Sequence, residues 1–101
     1  MSSQPETLFK VKVKKHLDKI PNIWYEKIQQ VTIRGTPDFL ICYAGRFVAW
    51  ELKKDAKSKA TKLQQYELDG VAKAGGVAVV VHPGNLEEQL RLLVLLGVEP
   101  T

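Results

Sequence analysis

The stretch from Asp38 to Lys53 restricts the fold of this chain more than any other. Two short apolar runs, at 38–43 and 47–53, flank Ala44-Gly45-Arg46, which is the pattern of two strands joined by a tight hairpin. If the hairpin closes symmetrically, through an Ala44-Gly45 loop or a longer loop from Tyr43 to Arg46, then Cys42 faces Phe47 and Asp38 faces Glu51. Directly opposed residues have Cβ atoms about 4.5–5.5 Å apart, and the two-residue period of a strand sets Lys53 on the same face as Glu51. Three charged side chains then converge at one end of an otherwise apolar hairpin. A bulged three-residue loop would shift the pairing by one and separate them, and alanine at the first loop position does not favour a type I′ turn. The sequence leaves both registers open.

Two carboxylates about 5 Å apart repel by about 3 kcal/mol at an effective dielectric near 20. A plain reading offsets this with a surface ion pair to Lys53, Asp38 doing no more than starting a turn after Pro37. A functional reading places a divalent cation between Asp38 and Glu51, with the Lys53 ammonium orienting or activating a water for attack on a phosphodiester. Hard oxygen ligands favour Mg²⁺ or Mn²⁺, and the sequence has no Cys or His cluster of the kind zinc prefers.

The surrounding sequence predicts a single α/β domain. Residues 5–20 read as a helix that opens on Pro5 and Glu6, carries Phe9, Val13, Leu17 and Ile20 on one stripe, and stops at Pro21. Glu6 lies on or beside that stripe, away from the lysine-rich outer face. Residues 23–33 read as a strand followed by an irregular passage ending in Arg34-Gly35-Thr36-Pro37. A second helix, 61–74, puts Leu63, Tyr66 or Glu67, Val71 and Ala74 on one side and closes at Gly75-Gly76. Residues 77–81, four of them valine, read as a strand covered on both faces. Asn85 and Glu88 suit a capping pair for a last helix, 86–96. The order is αβββαβα, a mixed sheet flanked by helices.

With 101 residues, 45% of them apolar, the chain can bury a core without disulfides, and the single Cys42 allows none within it. Neither a membrane span nor a signal peptide is legible, so a cytoplasmic protein is expected, in a bacterium or a phage-infected cell. The net charge is +4, and ten of the fifteen cations fall within 10–19 and 53–62, which points to a polyanionic partner. The last helix is apolar nearly all round, from Leu90 through Leu92, Leu93, Val94, Leu95 and Leu96. Its second side needs a cover, and a homodimer is the commonest one.

The chain resembles the PD-(D/E)XK nuclease superfamily and, within it, the virus-type replication-repair nuclease (VRR-NUC) family. The resemblance runs from about Trp24 to Val81. It rests on Gly35-Thr36-Pro37-Asp38-Phe39-Leu40-Ile41, on Gly45-Arg46-Phe47-Val48-Ala49-Trp50-Glu51-Leu52-Lys53, on Thr61-Lys62-Leu63-Gln64 and on Ala74-Gly75-Gly76. It implies a restriction-endonuclease-like αβββαβ core and a Mg²⁺- or Mn²⁺-dependent endodeoxyribonuclease. Asp38 and Glu51 would be metal ligands, Lys53 the water-orienting or charge-stabilising group, Glu6 an acidic residue approaching the metal, and Gln64, with Gln65 as rival, a supporting residue. Leu52 joins the implied metal set through its main chain. Lys54, Lys57, Lys59, Lys62 and Gly35 are the implied DNA contacts. Short stand-alone relatives resemble dimeric enzymes acting on branched DNA such as four-way (Holliday) junctions, and no small-molecule cofactor is implied.

Plainer readings stand beside these. Glu6 suits a helix N-terminus through the dipole alone, and Gln64 suits a solvated helix position. Gly35 suits a simple turn, the lysines a solvated face, His16 and His82 structural or surface roles, and Trp24, Tyr25 and Trp50 a core or interface. A non-catalytic nucleic-acid-binding module and a small interaction protein docking through the last helix are the competing functions.

Overall fold

The computed structural model describes residues 5–28 and 35–98, with the backbone alone at Pro5 and Glu6. The elements follow the expected order: α1 (Pro5–Leu17), β1 (Ile23–Lys27), β2 (Phe39–Tyr43), β3 (Arg46–Leu52), α2 (Lys62–Lys73), β4 (Val77–Val81) and α3 (Leu86–Leu95). They build one four-stranded sheet in the order β1-β2-β3-β4. The first three strands are antiparallel, and β4 runs parallel to β3 after the crossover through α2.

The hairpin takes the symmetric register. Tyr43 pairs with Arg46, Cys42 with Phe47 and Phe39 with Trp50. Ala44 and Gly45 both carry positive φ, 54° and 77°, the conformation of a two-residue type I′ loop. Alanine accepts the left-handed region there at a cost of about 1–2 kcal/mol, because the alternative slip would turn the apolar faces of both strands over.

One sheet face carries Phe39, Ile41, Val48, Trp50, Leu52 and Val81, and these join Phe9, Val13 and Leu17 of α1 and Leu86 and Leu93 of α3 in the core. Trp50 lies at its centre, 1% exposed. The opposite face receives α2, and there the paired Ala49 and Ala78 leave room for the helix to sit close to β3 and β4.

Several local expectations change. The first helix ends at Leu17 and not at residue 20, because the last turn tightens: the Lys19 amide donates to the His16 carbonyl and the Ile20 amide to the Leu17 carbonyl. The inward side of α2 is partly rotated from the expected one: Leu68 is its buried residue and Glu67 and Val71 are half-buried, while Leu63 and Tyr66 are 52% and 72% exposed. The strand at 77–81 is a sheet edge, and Val77 to Val80 are only half-buried there. Asn85 makes no side-chain cap on α3. Its carboxamide accepts from the His82 amide and donates to the Val80 carbonyl, satisfying the end of edge strand β4 instead. Trp24 is 55% exposed and stands outside the core.

Candidate active site

The charged end of the hairpin forms a compact cluster at the end of the sheet. The β2–β3 register closes at the Phe39–Trp50 pair, with Asp38 next before Phe39 in the chain and Glu51 next after Trp50. Asp38 is held from two directions by the ladder. Its carbonyl accepts from the Ile28 amide at 2.8 Å, and its carboxylate Oδ2 accepts from the Leu52 amide, also at 2.8 Å. The side chain thus takes over where strand pairing ends, which fixes the carboxylate instead of leaving it to swing in a turn. Glu51 is 3% exposed, and its Oε2 lies 3.7 Å from the Lys53 ammonium. Lys53 is anchored in turn by β4, since its amide donates to the Val81 carbonyl.

Helix α2 contributes through its first turn. Thr61 is the N-cap of a reciprocal capping box: its hydroxyl accepts from the Gln64 amide, while Gln64 Oε1 accepts from the Thr61 amide at 2.9 Å. The same Oε1 accepts from Lys53 Nζ at 2.9 Å. A helix cap therefore fixes the oxygen that orients the lysine. Gln65 points elsewhere and donates to Asp69 on the surface.

A residue outside the expected set also reaches the cluster. Lys10, on α1, places its ammonium 3.1 Å from Asp38 Oδ1, with both side chains largely withdrawn from solvent. In the sequence it is one lysine of a run on a helix whose apolar stripe begins at its neighbour Phe9. Only the packing of α1 across the sheet brings it to Asp38.

Glu6 lies on α1, but its side chain is outside the described residues, so its distance from the cluster is not part of this geometry. Lys54, Lys57, Lys59 and Lys62 are all exposed on or next to the loop that joins β3 to α2. That loop is ordered by Asp55, whose Oδ1 accepts from the amides of Lys57 and Ser58 and from the Ser58 hydroxyl. The Ser58 hydroxyl, followed by its amide, holds the Asp55 carboxyl below the usual aspartate range. Ser58, Lys59, Thr61, Lys62 and His82 line a shallow cleft beside the cluster. At Gly35, φ is 88° and an added Cβ would come within 2.6 Å of the Leu63 carbonyl oxygen. Close approach to α2 is reason enough for glycine there, without a phosphate.

Among the described residues, no group of three or more His, Cys, Asp or Glu side chains is placed to hold a metal. The donor set that does exist is two hard carboxylates on neighbouring strands with the main chain of Leu52 between Glu51 and Lys53. That set fits Mg²⁺ or Mn²⁺, which keep several waters and take one or two protein carboxylates.

Comparison with solved structures bears on the arrangement. One structure, described as a VRR_NUC domain protein, superposes with a TM-score of 0.74 over 100% of both chains at 23% identity. The chain has the fold of a VRR_NUC domain. A second, described as a VRR_NUC domain, gives a TM-score of 0.72 at 22% identity, covering 91% of this chain and 96% of the other. No family model matches the sequence, and no curated protein does. At 22–23% identity, these two matches establish the fold.

Proposed function

We propose that this chain is a metal-dependent endodeoxyribonuclease of the VRR-NUC type, hydrolysing phosphodiester bonds of DNA. The observation that carries the reading is the buried Glu51 paired to Lys53, with Lys53 held by Gln64 and Asp38 fixed by the Leu52 amide at the same end of the hairpin, on a fold that matches a VRR_NUC domain protein from end to end. A pure binder of polyanions gains nothing from two carboxylates in the middle of its basic surface.

In this reading Asp38 and Glu51 hold a Mg²⁺ or Mn²⁺ ion together with the Leu52 carbonyl. When bound, such an ion neutralises charge developing on the phosphate and lowers the pKa of a water it carries. The protein's own groups do the positioning. Asp38 is kept in place by the Leu52 amide, so the ligand geometry is set before any ion arrives. Lys53, held by Gln64, directs its remaining N–H bonds toward the attacking water or a non-bridging phosphate oxygen. Lys54, Lys57, Lys59 and Lys62 supply exposed cations along the flanking backbone of the DNA. A dimer pairing two such sites would act on the two strands of a branched substrate such as a four-way junction, and the protein would work inside the cell. Among the described residues no helix is long and apolar enough to cross a membrane.

The test is cleavage of linear, nicked, flapped and four-way DNA with Mg²⁺, with Mn²⁺ and in EDTA. Asp38→Asn and Glu51→Gln are expected to abolish cleavage while DNA binding persists. Full activity in EDTA, or in both variants, would overturn the reading. Metal-independent binding without any cleavage would favour the non-catalytic module.

A further inference from the structure

We propose that Lys10 is the site's resident counter-cation, exchanged for the divalent ion and then transferred to the phosphate of the substrate. The inference rests on the nuclease reading and goes beyond it, since it concerns a residue outside the expected catalytic set. Both oxygens of Asp38 are engaged, one by the Leu52 amide and the other by the Lys10 ammonium at 3.1 Å. An oxygen bonded to an ammonium has less electron density to give an incoming ion, and the two cations repel at that separation.

The charge balance follows from the named groups. Among the described residues each carboxylate has one lysine against it, Lys10 on Asp38 and Lys53 on Glu51, so the formal charges of these four side chains sum to zero. Adding a divalent ion creates an excess of two positive charges. A phosphodiester brings one negative charge and its pentacovalent transition state brings two. Of the two lysines, Lys10 is the less confined. Its side chain is 26% exposed against 13% for Lys53, which is also tied to Gln64. Lys10 extends from α1 on a four-carbon stem that lets the ammonium swing while the helix stays packed through Phe9 and Val13. Without metal the pair keeps a largely buried carboxylate compensated; with metal and DNA the same ammonium becomes a phosphate contact.

Two measurements on the full chain test this. The first is calorimetric titration of Mn²⁺ into the wild type, Lys10→Met, Lys10→Arg and Lys14→Met, without DNA. Lys10→Met is expected to bind Mn²⁺ roughly tenfold more tightly, as for removal of one unit charge a few ångströms from the ion. Lys10→Arg should stay close to the wild type. Lys14→Met should do the same, because Lys14 pairs with Asp18 and not with the cluster. Unchanged or weaker binding in a folded Lys10→Met overturns the exchange. The second needs no variant: the ε-methylene and ammonium NMR signals of Lys10 in the wild type should shift as Mg²⁺ is added, and shift again when a short duplex is added. A Lys10 signal that stays put while Mg²⁺ binds overturns the exchange and leaves the nuclease reading standing. A wild type that binds neither Mn²⁺ nor Mg²⁺ overturns both.

Discussion

Single side chains tie α1 to the sheet in ways that pH can interrogate. The Tyr25 hydroxyl donates to Asp18 Oδ1, and Lys14 donates to Oδ2 at 3.0 Å. The Tyr25 bond first, and Lys14 second, hold the Asp18 carboxyl below its usual range. Burial, and then Asp18, push the Tyr25 hydroxyl above its own. The signs of the two linkages are opposite. Asp18 contributes stability that is present above about pH 4 and lost as pH falls through its folded value. Tyr25 contributes stability present below about pH 10 and lost as pH rises through its folded value. The cost of Tyr25→Phe in urea unfolding should therefore be greatest near neutrality and shrink at both pH 3 and pH 11. A cost that stays constant across that range would show that the hydroxyl's bond to Asp18 does not carry the linkage.

Among the elements, the hairpin turn and the α2 cap decide the site. The two-residue loop holds Ala44 at φ 54°, where Asn or Gly is ordinarily found. Ala44→Asn creates an Asn-Gly turn and is expected to raise unfolding stability by about 0.5–1 kcal/mol without altering any site residue. A lowered urea midpoint would contradict the turn geometry and, with it, the register that brings Asp38 and Glu51 to the same end of the hairpin. The α2 cap has a function as well as a structural role. The Gln64 oxygen that closes the capping box is the one that accepts from Lys53, so the start of this helix and the aim of the lysine are a single arrangement.

At the scale of the whole molecule, the open surface is an apolar one. Edge strand β4 is made of valines and one alanine. Beside it, α3 leaves Leu92 and Leu95 at 45% and 52% exposed, and Val98, just after the helix, is 60% exposed. Proteins normally blunt such edges with charge, proline or a cover. Our expectation is that a second copy of the chain supplies the cover through a two-fold contact. Equilibrium sedimentation at micromolar concentration should give a dimer, and Leu92→Glu combined with Leu95→Glu should give a folded monomer. A monomeric wild type would remove the dimer and the paired incision of junctions that depends on it, and leave the chemistry of the single site unaffected.

The sequence by itself determined the order of elements, the symmetric option for the hairpin and the shared face of Glu51 and Lys53. Those follow from local periodicity and turn chemistry, which act over a few residues. It also carried Gln64 as a candidate, through a resemblance and not through spacing. What it could not decide was set by contacts between residues distant in the chain. The register of Ala44-Gly45 was settled by the burial of both strands, and Asn85 was drawn from the α3 cap to the end of β4 by unpaired backbone groups at an edge. The buried side of α2 is the one that carries Leu68, and Gln64 reaches Lys53 from its first turn. Lys10 was the least legible of all. Its periodicity marks a solvated helix face, and only the angle at which α1 crosses the sheet, fixed by Phe9, Val13 and Leu17 packing into the core, brings its ammonium to Asp38.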